Sequence, residues 1–81
     1  MLPNPTSPSG EATAKTRQFE ERLRAALDRL NPDQKEVFLL RQFEGMQFNE
    51  IGALMGTPEN TAKTRMRYAL EALRKELKEF L

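Results

Sequence analysis

Apolar residues recur at helical spacing along most of this 81-residue chain. A first segment, over about residues 11–30, places its apolar side chains on one face at about 100° per residue. That face consists of Phe19, Leu23, Ala26, Leu27 and Leu30. A second segment, over about residues 32–44, holds the run Val37 to Leu40 and then Phe43, and it is apolar over most of its circumference. A helix that is apolar all round is usually buried, so we expect the second helix to be the central, most buried element.

Residues typical of helix ends separate these segments. Asn31 and Pro32 favour an N-cap and the first position of the second helix, and Gly45 favours its C-terminal end. A short third helix is predicted over about residues 48–55. Its inward side chains are expected to be Phe48, Ile51, Leu54 and Met55.

The connection from the third helix to the fourth consists of only Gly56, Thr57 and Pro58. Gly56 is expected to end one helix, Thr57 to cap the next and Pro58 to start it, and the fourth helix continues to about Leu77 or beyond. Two helices joined by so short a turn predict a helix-turn-helix, whose second helix enters the major groove of DNA. The small Gly52 would let these two helices approach closely.

Together the segments predict an all-α fold, a compact four-helix domain over residues 11–81 with a C-terminal helix-turn-helix. Residues 1–10, MLPNPTSPSG, contain three prolines. Because proline fixes φ and lacks an amide donor, this segment is predicted to be a flexible Pro-rich tail or an interdomain linker.

The composition excludes several functions. With no cysteine and no histidine, the chain cannot form disulfides or use a Ser–His or Cys–His nucleophile. The same absence argues against a zinc site, and no convergent carboxylates indicate another active site. No apolar run approaches the roughly 20 residues needed to cross a bilayer, and no signal-peptide pattern is present. We predict a cytoplasmic, non-enzymatic protein without a metal or a cofactor.

Charge is nearly balanced overall, with 13 basic and 12 acidic residues, but it is uneven along the chain. From residue 60 to residue 70 there are three basic residues and no acidic one. The predicted buried face of the fourth helix consists of Ala62, Met66, Ala69, Leu73, Leu77 and Phe80. The opposite face carries Asn60, Lys63, Thr64 and Arg67, with Tyr68 beside them. These groups suit DNA base edges and phosphates, and the alternative is an ordinary solvated helix face.

Arg65 is a separate case. It lies about 60° from the apolar face of the fourth helix, on the flank near the preceding helix. Two roles are open for it from the sequence, either a contact with a DNA phosphate or a structural ion pair with Glu50.

Three motifs in unbroken register make the chain resemble a known family. They are L-x-x-L-x-P-x-x-x-x-V-F-x-L-R, E-G-x-x-x-x-E-I-x-x-x-x-G and T-x-K-[ST]-R-x-x-x-A-x-x-x-L, between Leu27 and Leu77. Over these roughly 50 residues the chain is similar to region 4 of bacterial RNA polymerase sigma factors, above all the extracytoplasmic-function group. The combination is far more specific than a helix-turn-helix pattern alone.

The resemblance implies that the fourth helix recognises the −35 element of double-stranded promoter DNA in transcription initiation. It also implies two protein partners, the flap of the β subunit in core RNA polymerase and an anti-sigma protein. The DNA-facing positions of the family correspond to Asn60, Thr61, Lys63, Thr64, Arg67 and Tyr68. Thr61 is expected to contact a phosphate near the helix start. We expect the chain to be the C-terminal domain with part of its linker, without the promoter-melting domain of the family.

Three positions depart from the family pattern. Ala62 stands where valine is usual and Gly52 where alanine is usual, which predicts weaker apolar contacts and a loss of about 1 kcal/mol of stability at each. Gln47 stands where serine or threonine is frequent, which predicts a weaker cap for the third helix.

Two other functions are compatible with the sequence. One is the effector domain of a response-regulator transcription factor, which also uses a helix-turn-helix but usually dimerises through its last helix. The other is a protein-interaction module that binds polymerase or an anti-sigma protein through Val37, Phe38 and Phe43. The second alternative is favoured if these apolar side chains are not all buried in the monomer.

Overall fold

A computed structural model describes residues 10–80 of the chain, with side-chain environments from residue 14 onward. It contains, in order, α1 (Gly10–Asp28), α2 (Pro32–Gln42), α3 (Phe48–Met55) and α4 (Glu59–Glu76), followed by a 3-10 turn at Lys78–Phe80. The predicted all-α, four-helix architecture is therefore confirmed over these residues. The predicted Pro-rich tail lies outside the described residues apart from its last residue, Gly10, at which α1 already begins.

The start of α2 follows the capping chemistry expected from its sequence. The Asn31 side-chain oxygen accepts a hydrogen bond from the Asp33 amide at 2.8 Å, and Pro32 is the first helical residue. The Asn31 carbonyl accepts from the Lys35 amide at 2.9 Å, which closes the first helical turn. The N-cap prediction is confirmed.

The connection from α2 to α3 is held by a backbone hydrogen bond from the Met46 amide to the Leu40 carbonyl, at 3.2 Å, and by the side chain of Arg41. Gly45 lies in this connection with a left-handed φ of 67°, as a helix-terminating glycine does. Arg41 donates to the Met46 carbonyl at 2.9 Å, and its guanidinium lies 4.6 Å from the centre of the Phe48 ring. These contacts tie the end of α2 to the first residue of α3.

The centre of the fold is α4, and the prediction that α2 would be the most buried element is wrong. Helix α4 packs against all three other helices and buries four side chains in the core. Helix α2 contributes only Val37 and Phe38 to the buried core, whereas Phe43 is 65% exposed. The apolar circumference of α2 exceeds the surface that α3 and α4 cover. The core consists of Ala26, Leu30, Val37, Phe38, Ile51, Ala62, Met66, Ala69, Leu73 and Leu77.

One predicted core residue of α3 points outward. Leu54 is 62% exposed, while Ile51 and Gly52 are buried. Because Gly52 faces α4, the buried face of this helix is centred between Ile51 and Gly52. At 100° per residue, that centre lies more than 100° away from Leu54.

The far end of α4 is fastened to α1 by charge and aromatic contacts. Arg22 pairs with Glu79 at 2.8 Å, and Arg29 pairs with Glu76 at 3.1 Å. The Phe19 and Phe80 rings meet edge to face with centroids 5.5 Å apart. These contacts hold the C-terminal end of α4, whereas its N-terminal half lies beside α3. Among the described residues, no helix has the length and apolarity required to span a membrane.

Candidate nucleic-acid interface

A tight turn sets the angle between α3 and α4. Gly56 ends α3 in the left-handed conformation, with φ of 72°. The Thr57 amide then donates to the Gly52 carbonyl at 2.8 Å, which folds the chain back towards α3. The predicted helix-turn-helix connection is present, and α4 follows after two further residues.

The predicted start of α4 needs correction. Pro58, not Thr57, is the N-cap residue, and its carbonyl accepts from the Thr61 amide at 3.0 Å. The Thr57 hydroxyl oxygen is buried without a hydrogen-bond partner. Because the bond to Gly52 holds Thr57 within the turn, Thr57 belongs to the end of α3 rather than to the start of α4.

The glycine at position 52 is required by the closeness of this turn. A Cβ atom at Gly52 would lie 2.6 Å from the Thr57 carbonyl oxygen and 3.3 Å from the Glu59 nitrogen. Both neighbours are backbone atoms, which cannot rotate away as the end of a side chain can. This geometry argues against the expectation that glycine here weakens the domain relative to alanine, because alanine would force the turn open.

The first half of α4 separates into a buried face and an exposed one. Ala62 and Met66 are buried against the core, as predicted. Thr61 is half-buried at the border between the two faces. After Glu59, the exposed residues as far as Tyr68, called here the polar face of α4, are Asn60, Lys63, Thr64, Arg67 and Tyr68. All five are residues that the sequence pattern had assigned to DNA.

Two neighbouring side chains of the polar face stack on each other. The Arg67 guanidinium lies 5.1 Å from the centre of the Tyr68 ring, and Tyr68 is 46% exposed. A guanidinium held over an aromatic face keeps its donors directed outward in its own plane. The pair therefore offers hydrogen-bond donors and an aromatic surface at one place on the helix.

An acidic residue that sequence reasoning missed lies beside this face. Glu59 is the first residue of α4, and its Oε2 atom lies 3.6 Å from Nζ of Lys63. The count of charges along the sequence began at Asn60, one residue after Glu59, and therefore left this acid out. The i,i+4 spacing of Glu59 and Lys63 was a sequence signal that could have revealed the pair.

Arg65 forms an ion pair, but not with the residue considered from the sequence. Its guanidinium lies 3.4 Å from the carboxylate of Asp33, in the first turn of α2. Glu50 instead accepts a hydrogen bond from the Gln47 amide at 2.8 Å, and so caps the start of α3. The packing of α2 against α4 brings Asp33 to the flank of α4, a proximity that helical periodicity alone cannot predict.

A second surface lies further along α4, towards its C-terminal end. An apolar groove of about 420 Å³ runs between α1, α2 and α4. Val37 and Phe38 are buried in the core, but Phe43 and Leu70 are 65% and 43% exposed at this groove. Arg74 supplies a basic group among the residues lining the groove.

The chain is similar to known sigma factors over a part that contains the polar face of α4 and most of the apolar groove. Residues 20–73 match the family described as sigma-70, region 4. Over 54 residues the chain is 43% identical to the RNA polymerase sigma factor CarQ of Myxococcus xanthus, covering 67% of this chain and 31% of that protein. Over 55 residues it is 40% identical to the RNA polymerase sigma factor SigV of Bacillus subtilis (strain 168), covering 68% of this chain and 33% of that protein. The chain thus spans about a third of the length of these relatives.

Proposed function

The chain belongs to the sigma-70 region 4 family, as region 4 of an extracytoplasmic-function sigma factor, and we propose that it binds the −35 element of promoter DNA in transcription initiation. In this role the domain directs RNA polymerase to its promoters. Its activity is binding rather than catalysis, and it acts in the cytoplasm, where bacterial promoter DNA lies.

The polar face of α4 is the observation that carries this proposal. A buried stripe anchors the helix, a tight turn holds it against α3, and its outer side presents donors and acceptors. This is the arrangement in which the second helix of a helix-turn-helix lies in the major groove, with its N-terminal residues towards the bases.

Each side chain of the interface has a role suited to its chemistry. We assign contacts with base edges to Asn60 and Arg67, because an amide and a guanidinium can form paired hydrogen bonds with adenine and guanine. Thr61, Thr64 and Lys63 are suited to phosphate oxygens. The Tyr68 ring, stacked with Arg67, is suited to an apolar base edge such as the thymine methyl group.

Amide NMR titration tests the proposal directly. The ¹⁵N-labelled domain is titrated with a duplex carrying a candidate −35 element and, separately, with a scrambled duplex of the same composition. We expect shifts concentrated on residues 59–68 and larger with the promoter duplex. Equal shifts with both duplexes would mean that the domain binds DNA without sequence preference. No shifts at low salt would mean that the domain does not bind DNA.

A second function, protein binding, is favoured by the exposure of Phe43. We propose that the apolar groove receives a protein partner, the β flap of core polymerase or an anti-sigma protein. Apolar side chains exposed together around a concave surface are typical of protein-binding sites. The response-regulator alternative has no comparable support, since the family match assigns residues 20–73 to sigma region 4.

DNA and protein binding would act together in the whole sigma factor. A single small module buries less surface on DNA than a complete regulator does, so its own affinity should be modest. Tethering to polymerase raises the effective concentration of the domain at the promoter. Promoter melting belongs, in this proposal, to the remainder of the sigma factor.

A further inference from the structure

An acidic side chain at the start of a DNA-recognition helix requires an explanation. Glu59 is the first residue of α4, and its carboxylate is half-exposed beside Lys63. Glu59, Lys63 and Arg67 follow one another at four-residue intervals, so they form a single row along the helix. The row therefore begins with an acceptor and continues with two cationic donors.

We propose that Glu59 is a specificity-determining residue, which accepts a hydrogen bond from the N4 amino group of a cytosine in the major groove. The inference rests on the proposed function, because it assigns one base contact within that interface. N-terminal residues of a recognition helix are the ones that reach base edges, and Glu59 is the first of them.

The chemistry of a carboxylate selects cytosine among the four bases. An ionised carboxylate only accepts hydrogen bonds. Guanine and thymine present acceptors in the major groove, O6 and N7 for guanine and O4 for thymine, so they repel it. Adenine presents one donor next to the N7 acceptor, whereas cytosine presents the N4 amino group as its sole group in this groove. Cytosine is therefore the base that a carboxylate favours.

The contact with Lys63 leaves the carboxylate free to make this bond. The separation of 3.6 Å between Oε2 of Glu59 and Nζ of Lys63 is longer than a hydrogen bond, and both side chains are about half-exposed. Lys63 still offsets the repulsion between the carboxylate and the DNA phosphates. Glu59 thus keeps its acceptors available while its charge is partly balanced.

The competing explanation is that Glu59 only stabilises the start of α4. Acidic residues in a first turn interact favourably with the helix dipole, without any contact to DNA. The two explanations differ in one measurable property, the base preference of the bound DNA. A stabilising role changes affinity or folding but leaves the preferred sequence as it was.

Selection from a duplex library, randomised across the −35 window, distinguishes these explanations. The domain and three variants are each used for selection and the bound DNA is sequenced. Glu59→Gln removes the charge while keeping the shape, and Glu59→Asp keeps the charge on a shorter side chain. Glu71→Gln is the matched control, because Glu71 is an exposed acid about 18 Å further along the same helix. Thermal unfolding checks that every variant is folded.

We expect the wild-type domain to prefer cytosine at one position by about tenfold. Both Glu59 variants should lose that preference and retain the others, with Glu59→Gln favouring adenine there. Glu71→Gln should keep the complete wild-type preference. A selected sequence that is unchanged in both Glu59 variants would overturn the inference and leave the proposed function intact. A wild-type domain that selects no sequence would overturn the proposed function as well.

Discussion

The Thr57 carbonyl oxygen occupies the space that a side chain at Gly52 would need, only 2.6 Å from an ideal Cβ position. The same two residues are joined by the hydrogen bond from the Thr57 amide to the Gly52 carbonyl, at 2.8 Å. Gly52 therefore fixes the distance between α3 and the turn, and the turn fixes the angle at which α4 leaves α3.

The first prediction is that Gly52→Ala destabilises the domain by about 1–3 kcal/mol, because the turn must shift to admit the methyl group. At an unobstructed helical position the same change would stabilise by up to about 1 kcal/mol. Thermal unfolding measures the sign directly, since 1 kcal/mol shifts the Tm of a domain this size by about 4–8 °C.

Ala53→Gly is the matched control for Gly52→Ala, because Ala53 is the next residue of α3 and is exposed. It should lose about 1 kcal/mol from helix propensity alone. A Gly52→Ala variant with a raised Tm would show that the turn opens without cost. The usual alanine of the family would then fit this chain equally well.

The second prediction concerns the ion pair between Arg65 and Asp33. Because the Arg65 side chain is only 24% exposed and the two groups lie 3.4 Å apart, we expect a structural role. In a double-mutant cycle with Arg65→Gln and Asp33→Asn, the coupling energy in the free energy of unfolding should be about 0.2–1 kcal/mol. Asp33→Asn should leave DNA affinity unchanged.

A change in DNA affinity in the Asp33→Asn variant would instead indicate that Arg65 contacts DNA. If Arg65 contacts a phosphate, Asp33→Asn frees it from a competing acid and raises DNA affinity. Arg65→Gln would then reduce the dependence of affinity on salt by about one phosphate contact. Absence of coupling in the unfolding cycle, together with these two changes, would contradict the structural role.

The success of sequence reasoning here depended on how local each feature is. The Asn31 cap, the bounds of α3 and the buried stripe of α4 follow from residues close together in the chain, and all were predicted. The exposure of Leu54, the central position of α4 and the pairing of Arg65 with Asp33 depend on which helices meet, and the sequence did not predict them. Gly52 was correctly expected to permit a close approach, but the distance of 2.6 Å requires the folded turn.

The third prediction is that Arg67→Ala weakens binding to promoter DNA by about 1–3 kcal/mol and relaxes the preference at one base pair. The reason is that stacking on Tyr68 orients the N–H donors of the Arg67 guanidinium towards a base edge. Affinities are measured on a promoter duplex and on duplexes with single base-pair changes. Arg74→Ala is the control, since Arg74 lines the apolar groove instead. An equal loss on promoter and scrambled DNA would identify Arg67 as a phosphate contact.

The fourth prediction concerns salt. The polar face carries two cations, Lys63 and Arg67, so log affinity plotted against log salt concentration should have a slope of about −1.8. Lys63→Ala should lower the affinity and bring the slope to about −0.9, because one cation is lost. Lys75→Ala, an exposed change at the far end of α4, should alter neither quantity. An unchanged binding curve for Lys63→Ala would remove Lys63 from the interface.

The fifth prediction separates protein binding from DNA binding. Phe43 is 65% exposed at the apolar groove and meets Phe38 edge to face at 6.3 Å. Phe43→Ala should therefore cost about 1 kcal/mol or less in stability. It should weaken binding to core RNA polymerase while leaving the affinity for promoter DNA unchanged. Competition with labelled sigma factor for core polymerase measures the first effect, and duplex titration measures the second.

Leu54 provides a control of matched character for Phe43. It is also a large apolar residue with high exposure, 62%, but it lies on α3 and does not line the groove. If the groove binds the polymerase, Leu54→Ala should compete as well as the wild type while Phe43→Ala does not. Equal losses in both variants would mean that general surface apolarity, not the groove, supports the interaction. If Phe43→Ala competes for core polymerase as well as the wild type does, the groove does not bind polymerase, and DNA binding by α4 remains as the proposed function.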